Sequence, residues 1–323
     1  MNVSRWLLPH FTKRPVTLKR YPAGVHGEFF YEKDAPGFTP EWVQTTPVPR
    51  REGGPDIGYI MINDVTTLGW CANIGSIELH PFLHRAPEIE RPTWIVFDLD
   101  PGDGADILSC AEVAFLLRDL LAQLQLKSWV KVSGSKGLQV YVPLNTPITY
   151  GSTQPFARAV AQMLEGQHPK LIVSEMAKSL RHNKVFIDWS QNADHKTTVG
   201  VYSLRAKRER PFVSLPVEWD ELRQACRKKN IDALYFSPTE ALARLKQLGD
   251  LFAPVLRTKQ KLPEQFSGRD AAPRRPKRVA EATDVRNTTD PATPPGRRSA
   301  ASLPSLREYG VKRNFSRTEE PAP

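Results

Sequence analysis

Apolar and polar positions along the chain follow two periods. Alternation, or a short continuous apolar run, marks strands over residues 14–21, 28–32, 93–99, 128–132, 138–144 and 185–189. Apolar residues three and four apart mark helices over 106–125, 154–167, 219–229 and 239–248. The first helix carries its stripe on Ile107, Cys110, Val113, Ala114, Leu117, Leu120 and Leu121. The two kinds of element do not follow a regular βαβ cadence. The predicted class is therefore α+β, with mixed or antiparallel central sheets flanked by helices. The folded region should run over 1–255. From 256 to 303 the chain is dominated by Pro, Arg, Ser, Thr and Ala, as in AAPRRPKR and TTDPATPPGRRSA. Such a segment cannot bury enough apolar surface to offset its ordering entropy, so a disordered basic linker is expected. A short tail over 304–323 regains aromatic residues.

Composition narrows the setting. The 323 residues are 40% hydrophobic, enough for a sizeable core, and carry a formal net charge of +10. The pI near 9.5 favours a polyanionic partner, since cations that neutralise phosphates release counterions. Cys71, Cys110 and Cys226 lie far apart, which suggests neither a disulfide framework nor a local zinc site. No signal peptide opens the sequence, and no apolar stretch reaches the length of a membrane span. The expected location is cytoplasmic and nucleoid-associated, with no membrane partner.

Candidate chemistry begins with TWIVFDLDPGDG. Side chains alternate along a strand, so Asp98 and Asp100 share one face while Leu99 takes the other. Two carboxylates ~7 Å apart at the end of an apolar run repel each other unless cations sit between them, and hard divalent metals suit that need. Taken alone, the pair could equally be a strand end with exposed acids. KVFIDWSQN supplies a third acid, Asp188, on another apolar strand, where Arg181 or Lys184 could instead pair with it. If the two strands are neighbours, three carboxylates converge as a two-metal ligand set. Between them lies WVKVSGSKGLQVYVPL, two strands around a glycine-rich turn. Gly134 and Gly137 can turn backbone amides toward a phosphate, and Lys136 adds charge. An ordinary hairpin turn is the plain alternative.

In order, FDLDP, SGSKGLQVYVPL, SLRHNKVFIDWSQN and YSLR resemble the polymerase domain of bacterial DNA ligase D, of the archaeo-eukaryotic primase superfamily. RPVTLKRYPAGV, FFYEK, IELHPF, MAKSL, HKTTVGVYSLR and LGDLF extend the likeness from about 14 to 251. The resemblance implies a primase–polymerase fold and a nucleotidyltransferase of Ku-dependent non-homologous end joining. Such an enzyme fills gaps and extends DNA 3′ ends, using two divalent ions (manganese preferred over magnesium) and NTP or dNTP substrates. It implies metal ligation and catalysis by Asp98, Asp100 and Asp188. Nucleotide contacts would come from His80, Ser133, Lys136 and Arg205, and from Gln139, which stands where the family usually has a histidine. DNA contacts would come from Lys19, Arg20, Phe30 and Lys33, because basic residues beside aromatics suit backbone contact and base stacking. The implied partners are DNA ends, gapped duplex, Ku and a separate DNA ligase.

Two departures shape these expectations. The family usually opens with a Lys- and Asn-rich segment that binds a 5′-phosphate. This chain starts near the RPVTLKRYP block, so a truncated start or lost 5′-phosphate recognition is expected. LREYGVKRNFSRTEEP resembles the opening of a 3′-phosphoesterase module without its catalytic residues, so no such activity is expected. The competing readings are a catalytically weakened DNA-end-binding scaffold and a two-metal nuclease. The SGSKG turn speaks against the nuclease, because hydrolysis needs no triphosphate cradle.

Overall fold

The computed structural model describes residues 2–207 and 210–266. Its first sheet is five-stranded and antiparallel: β1 (Pro15–Arg20), β2 (Phe30–Glu32), β3 (Thr45–Val48), β4 (Ile57–Met61) and β5 (Ser76–Pro81). β1 is the axis, pairing with β5 on one edge and with β4 and β2 in succession on the other. A hairpin of β6 (His84–Arg85) and β7 (Glu88–Pro92) leads to the second sheet. That sheet contains β8 (Trp94–Pro101), β9 (Trp129–Val132), β10 (Leu138–Pro143), β11 (Ile172–Val173) and β12 (Val185–Asp188). A small pair, β13 (Leu204–Arg205) and β14 (Phe212–Val213), precedes its last strand, β15 (Leu215–Val217). The strand order is β11-β12-β8-β10-β9-β15, antiparallel throughout except at β11–β12. The mixed, largely antiparallel architecture is the one the hydropathy pattern predicts.

Six α-helices occur among the described residues: α1 (Ser4–Phe11), α2 (Val65–Asn73), α3 (Ile107–Gln123), α4 (Tyr150–Gln167), α5 (Trp219–Lys228) and α6 (Pro238–Leu248). Local chemistry sets their ends. Asp106 accepts the Leu108 and Ser109 amides and closes a capping box at the start of α3. Ser237 and Glu240 do the same for α6, with Pro238 in its first turn and Gly249 at φ +71° ending it. The predicted stripe of α3 is buried except for Leu120, which packs at its margin, and the helix lies against β8, β10 and β12. Helix α4 packs on β8 and begins four residues before the predicted start, so that Pro155 sits inside it. No helix of the described residues is long and apolar enough to cross a membrane.

Two buried polar side chains fix how the chain enters and leaves the second sheet. Arg14 is fully buried and donates to the carbonyls of Leu83 (2.7 Å) and His84 (3.0 Å) and to the Thr93 hydroxyl (2.6 Å). Its guanidinium lies 3.5 Å from the Trp94 ring centroid, so the start of β1 is tied to the start of β8. Asn192 is also fully buried. After Asp188 the chain leaves the sheet in a 3-10 turn (Trp189–Gln191), and the Asn192 side chain takes over the missing pairing. Its Oδ1 accepts the Val96 amide at 2.9 Å and its Nδ2 donates to the Val96 carbonyl at 2.7 Å. One amide side chain thereby replaces a strand residue and locks β12 beside β8.

The folded region extends further than composition predicts. Residues 256–266, assigned above to the linker, pack on the domain. Gln260 donates through Nε2 to the Pro143 carbonyl (2.8 Å) and the Lys127 carbonyl (3.0 Å), Leu262 is buried, and Phe266 meets Phe156 edge-on. The reason is tertiary: Gln260 is held at β10 and Phe266 at α4, so a polar segment with no periodicity of its own is captured by partners distant in sequence. The rest of the predicted linker and the tail over 304–323 lie outside the described residues.

Asn192→Leu strips both partners from the Val96 backbone. Leaving two buried groups unsatisfied should cost about 2–4 kcal/mol of unfolding free energy. Denaturant melts check this, and a variant within experimental error of the parent would disprove the clamp.

Candidate active site

Directly opposed residues of neighbouring strands share a face. Asp98 on β8 is opposed by Asp188 on β12 and by Gln139 on β10, and Gln139 in turn by Lys131 on β9. Asp188, Asp98, Gln139 and Lys131 therefore stand abreast across the sheet. Asp100 lies two residues along the same face, opposite Phe186. Phe97 and Leu99, on the other face, are wholly buried. The three acids meet because β8 and β12 are hydrogen-bonded neighbours.

Their electrostatics follow from crowding. Burial, then the charges of Asp100 and Asp188, push the Asp98 carboxyl up to about 8, against an opposing hydrogen bond from Gln139 and the Arg205 charge. Asp100 is raised too, by burial and Asp188, with Arg181, Arg205 and Lys207 acting the other way. Among the described residues Asp188 has no ion pair with an arginine or lysine. Its carboxylate accepts the Ser190 amide (3.0 Å) and hydroxyl (2.6 Å) and the Gln191 side-chain amide (2.8 Å). Arg181, a candidate partner on sequence grounds, instead lies 3.7 Å from the Phe186 ring centroid and donates to the Met176 carbonyl. Among the described residues no three His, Cys, Asp or Glu side chains are already drawn into a metal cage. The acids share one face of the sheet. An oxygen-only donor set whose carboxyls are crowded by burial and by one another suits a hard divalent cation.

The SGSKG turn closes one flank. Ser133 accepts the amides of Ser135 (3.2 Å) and Gly137 (3.3 Å) at its hydroxyl oxygen. It thus braces the turn, and its own proton remains as a donor. Gly134 holds φ +75°, and a Cβ there would lie 3.1 Å from Arg205 Cγ. A Cβ on Gly137 would lie 2.0 Å from the Leu99 carbonyl oxygen, so the turn is pressed against the DLD strand. Lys136 is exposed at its tip. Gln139 departs from expectation. It is buried in the acid row, opposite Asp98 in the ladder, where it donates to the Thr198 hydroxyl at 2.7 Å.

The first sheet contributes a buried carboxylate that the sequence reading missed. Glu78 is fully buried and gathers Lys19 Nζ (3.5 Å), Tyr21 Oη (2.9 Å), the Ala206 amide (3.1 Å), His80 Nε2 (3.1 Å) and Arg205 Nε (3.3 Å). Burial alone would raise its pKa, but the His80 hydrogen bond and the Arg205, His80 and Lys19 charges hold it well below the carboxylate range. His80 is lowered by burial, which outweighs Glu78. Arg205 stands between this cluster, the Gly134 backbone and the acids.

Lys19 requires a correction. Expected to face DNA, it is fully buried, because it sits opposite Glu78 in the β1–β5 ladder. Arg20 points the other way and grips both Glu32 oxygens (2.9 and 3.2 Å). Phe30 is 45% exposed with Arg20 5.2 Å from its ring centroid, and Lys33 is exposed. The missed residues carried a signal. In SIELHP, Glu78 and His80 alternate with apolar residues as Asp98 and Asp100 do, and Lys131 likewise sits between Val130 and Val132.

A family model described as the LigD primase-polymerase domain matches residues 1–252. The chain is 40% identical over 257 residues to the multifunctional non-homologous end joining protein LigD of Mycolicibacterium smegmatis, covering 79% of this chain and 32% of that protein. It is 32% identical over 265 residues to the bifunctional LigD of Bacillus subtilis, covering 81% and 41%. The chain thus spans less than half the length of either relative. The solved polymerase domain of Mycobacterium tuberculosis ligase D in complex with DNA matches with a TM-score of 0.73 and 38% identity, over 80% of this chain and 90% of that one.

Two outcomes follow for the free protein. Glu78→Ala would leave Lys19 buried and Arg205 half-buried without a counter-charge, at a cost of about 3–5 kcal/mol. Adding Lys19→Met should recover part of it in denaturant melts, and strict additivity would sink the coupling. Asp98 binds its proton more tightly folded than unfolded, so between its ordinary 3.8 and about 8 the native state holds the extra proton. Stability without metal should fall as pH rises through that window, by up to about 1.4 kcal/mol per unit from this group. Asp98→Asn should flatten the profile, and parallel profiles for the two proteins would refute the shift.

Proposed function

The chain belongs to the LigD primase–polymerase family, and from that premise we propose that it adds nucleotides to DNA 3′ ends and fills gaps during end joining. The observation that carries this reading is the row of acids beside a glycine turn and an arginine. Carboxylates alone would serve hydrolysis as well. The SGSKG turn and Arg205 on one flank of the acids add what a triphosphate needs.

Asp98, Asp100 and Asp188 would hold two divalent ions, manganese or magnesium. Bound there, the ions supply Lewis acidity for a 3′-hydroxyl and for a pyrophosphate leaving group. The protein's own part is positioning. Gln139 orients Asp98, and Ser190 and Gln191 orient Asp188. The Ser133 hydroxyl proton, Lys136 and Arg205 face the place a triphosphate would take, with Arg205 held from behind by Glu78. His80, fixed on Glu78 with Tyr31 edge-on to it, borders the same space. Phe30 and Lys33 are exposed groups suited to stacking on a base and contacting a phosphate. The proposed substrates are NTPs or dNTPs, and DNA ends or gapped duplex. Ku and a separate DNA ligase are the proposed partners.

Primer extension on gapped DNA with manganese tests the reading. Asp98→Ala should lose more than about 100-fold in rate, since a direct ligand matters more than the outer groups whose loss costs 10–100-fold. Undiminished extension by that variant removes Asp98 from the mechanism. Normal DNA binding by the parent protein with no incorporation under any divalent ion would favour the scaffold instead.

A further inference from the structure

The acids occupy only one end of their face of the second sheet. Side chains alternate along a strand, so Trp94 on β8 shares the face of Asp98, and Tyr141 on β10 shares that of Gln139. Helix α1 lays His10 and Phe11 over this other end. A cavity with about 10 Å³ open to the centre of a water molecule remains there, lined among others by His10, Trp94, Tyr141, Thr198 and Phe252.

Two residues of its wall each carry an unpaired nitrogen. His10 and Trp94 are 2% and 4% exposed, and among the described residues neither His10 Nδ1 nor Trp94 Nε1 has a hydrogen-bond partner. Neither ring is free to turn away. His10 is pinned through Nε2, 2.8 Å from Asp250 Oδ2, and sits against the rings of Tyr202 and Phe252. Trp94 carries the Arg14 guanidinium 3.5 Å from its ring centroid and meets Tyr141 edge-on at 5.8 Å. The two nitrogens are chemically complementary. A carboxylate only accepts, so the neutral His10 ring holds its proton on Nε2 and offers a lone pair at Nδ1, whereas the indole N–H only donates. A guest that bonds both must donate and accept at once, and so small a space admits nothing larger than water.

We propose that this cavity is the site of one ordered water molecule, which accepts the Trp94 N–H and donates to His10 Nδ1. Leaving two buried polar groups unpaired costs more than immobilising one water. The water joins helix α1 to the first residue of β8, and so continues the Tyr202–Asp250–His10 chain onto the sheet that carries the acids. Two further members of the wall are the hydroxyl partners of Gln139. Thr198 accepts its Nε2 at 2.7 Å, and Tyr141 Oη lies 3.5 Å from its Oε1. The water site therefore backs the residue that stands opposite Asp98.

Two measurements on the full chain test this, and neither depends on catalysis or on the nucleotide-transfer reading. A high-resolution crystal structure of the parent protein should show a single water within about 2.7–3.2 Å of both nitrogens. Magnetic relaxation dispersion of the solvent counts long-lived internal waters in solution. Trp94→Phe keeps an aromatic ring over Arg14 and removes only the donor, and it should hold one such water fewer than the parent. Should that variant fail to fold, the parent crystal structure decides alone. A dry cavity in the parent, or an internal-water count unchanged by Trp94→Phe, would overturn the proposal.

Discussion

The structure turns on an arrangement that a sheet ordinarily avoids, two carboxylates set directly opposite each other on neighbouring strands. Like charges in opposed positions weaken a ladder, and Asp98 and Asp188 meet in this way with Asp100 one step along. The β8–β12 pairing must therefore be held by everything around the acids. Below them, Phe97, Leu99, Val185 and Ile187 are buried in the main core. Beyond them, Asn192 finishes the ladder that β12 leaves short. The proton that Asp98 retains relieves part of the repulsion, and the surroundings prevent the strands from parting. For the cation site proposed above, carboxylates free of internal salt bridges are the better arrangement, because such bridges would compete with a metal for their oxygens.

The first sheet meets that negative cluster with an opposite one. Lys19, His80 and Arg205 converge on Glu78, three basic groups around one acid. Glu78 neutralises enough of that charge for the group to be buried, and Arg205 reaches past it toward the acids and the glycine turn. The field at the site thus depends on both sheets, with Arg205 shared between two buried charge clusters. Such shared members are where single substitutions are least additive.

Much of this was legible in the alternation of FDLDP and VFID, which puts each acid on a defined face of its strand. Adjacency was not legible, because strand order depends on contacts far apart in sequence. The same limit explains Lys19. Its alternation with Leu18 and Arg20 is plain, but whether its face meets solvent or a second buried acid is decided by β5, almost sixty residues later. Glu78 escaped notice for the converse reason: a polar residue in a strand reads as a solvated face until the opposing cations are known. Helix α3 was readable because its stripe and its Asp106 cap are local. Residues 256–266 were not, because Gln260 and Phe266 act only through β10 and α4.

The strand that carries Arg205 is fixed from both sides, and this connects the ends of the domain to its chemistry. On one side the Ala206 amide is held by Glu78. On the other, Tyr202 adopts φ +65°, a conformation that bulky residues rarely take, so surrounding contacts must enforce it. Those contacts run through its hydroxyl, which donates to Asp250 at 2.5 Å, while His10 Nε2 lies 2.8 Å from the other Asp250 oxygen. Helix α1 and the LGDLF segment are thereby coupled three residues before Arg205, although neither approaches the acids. The family model matches as far as residue 252, well beyond Asp188, and these contacts give the terminal segments a physical part in that domain: they hold the strand that carries Arg205.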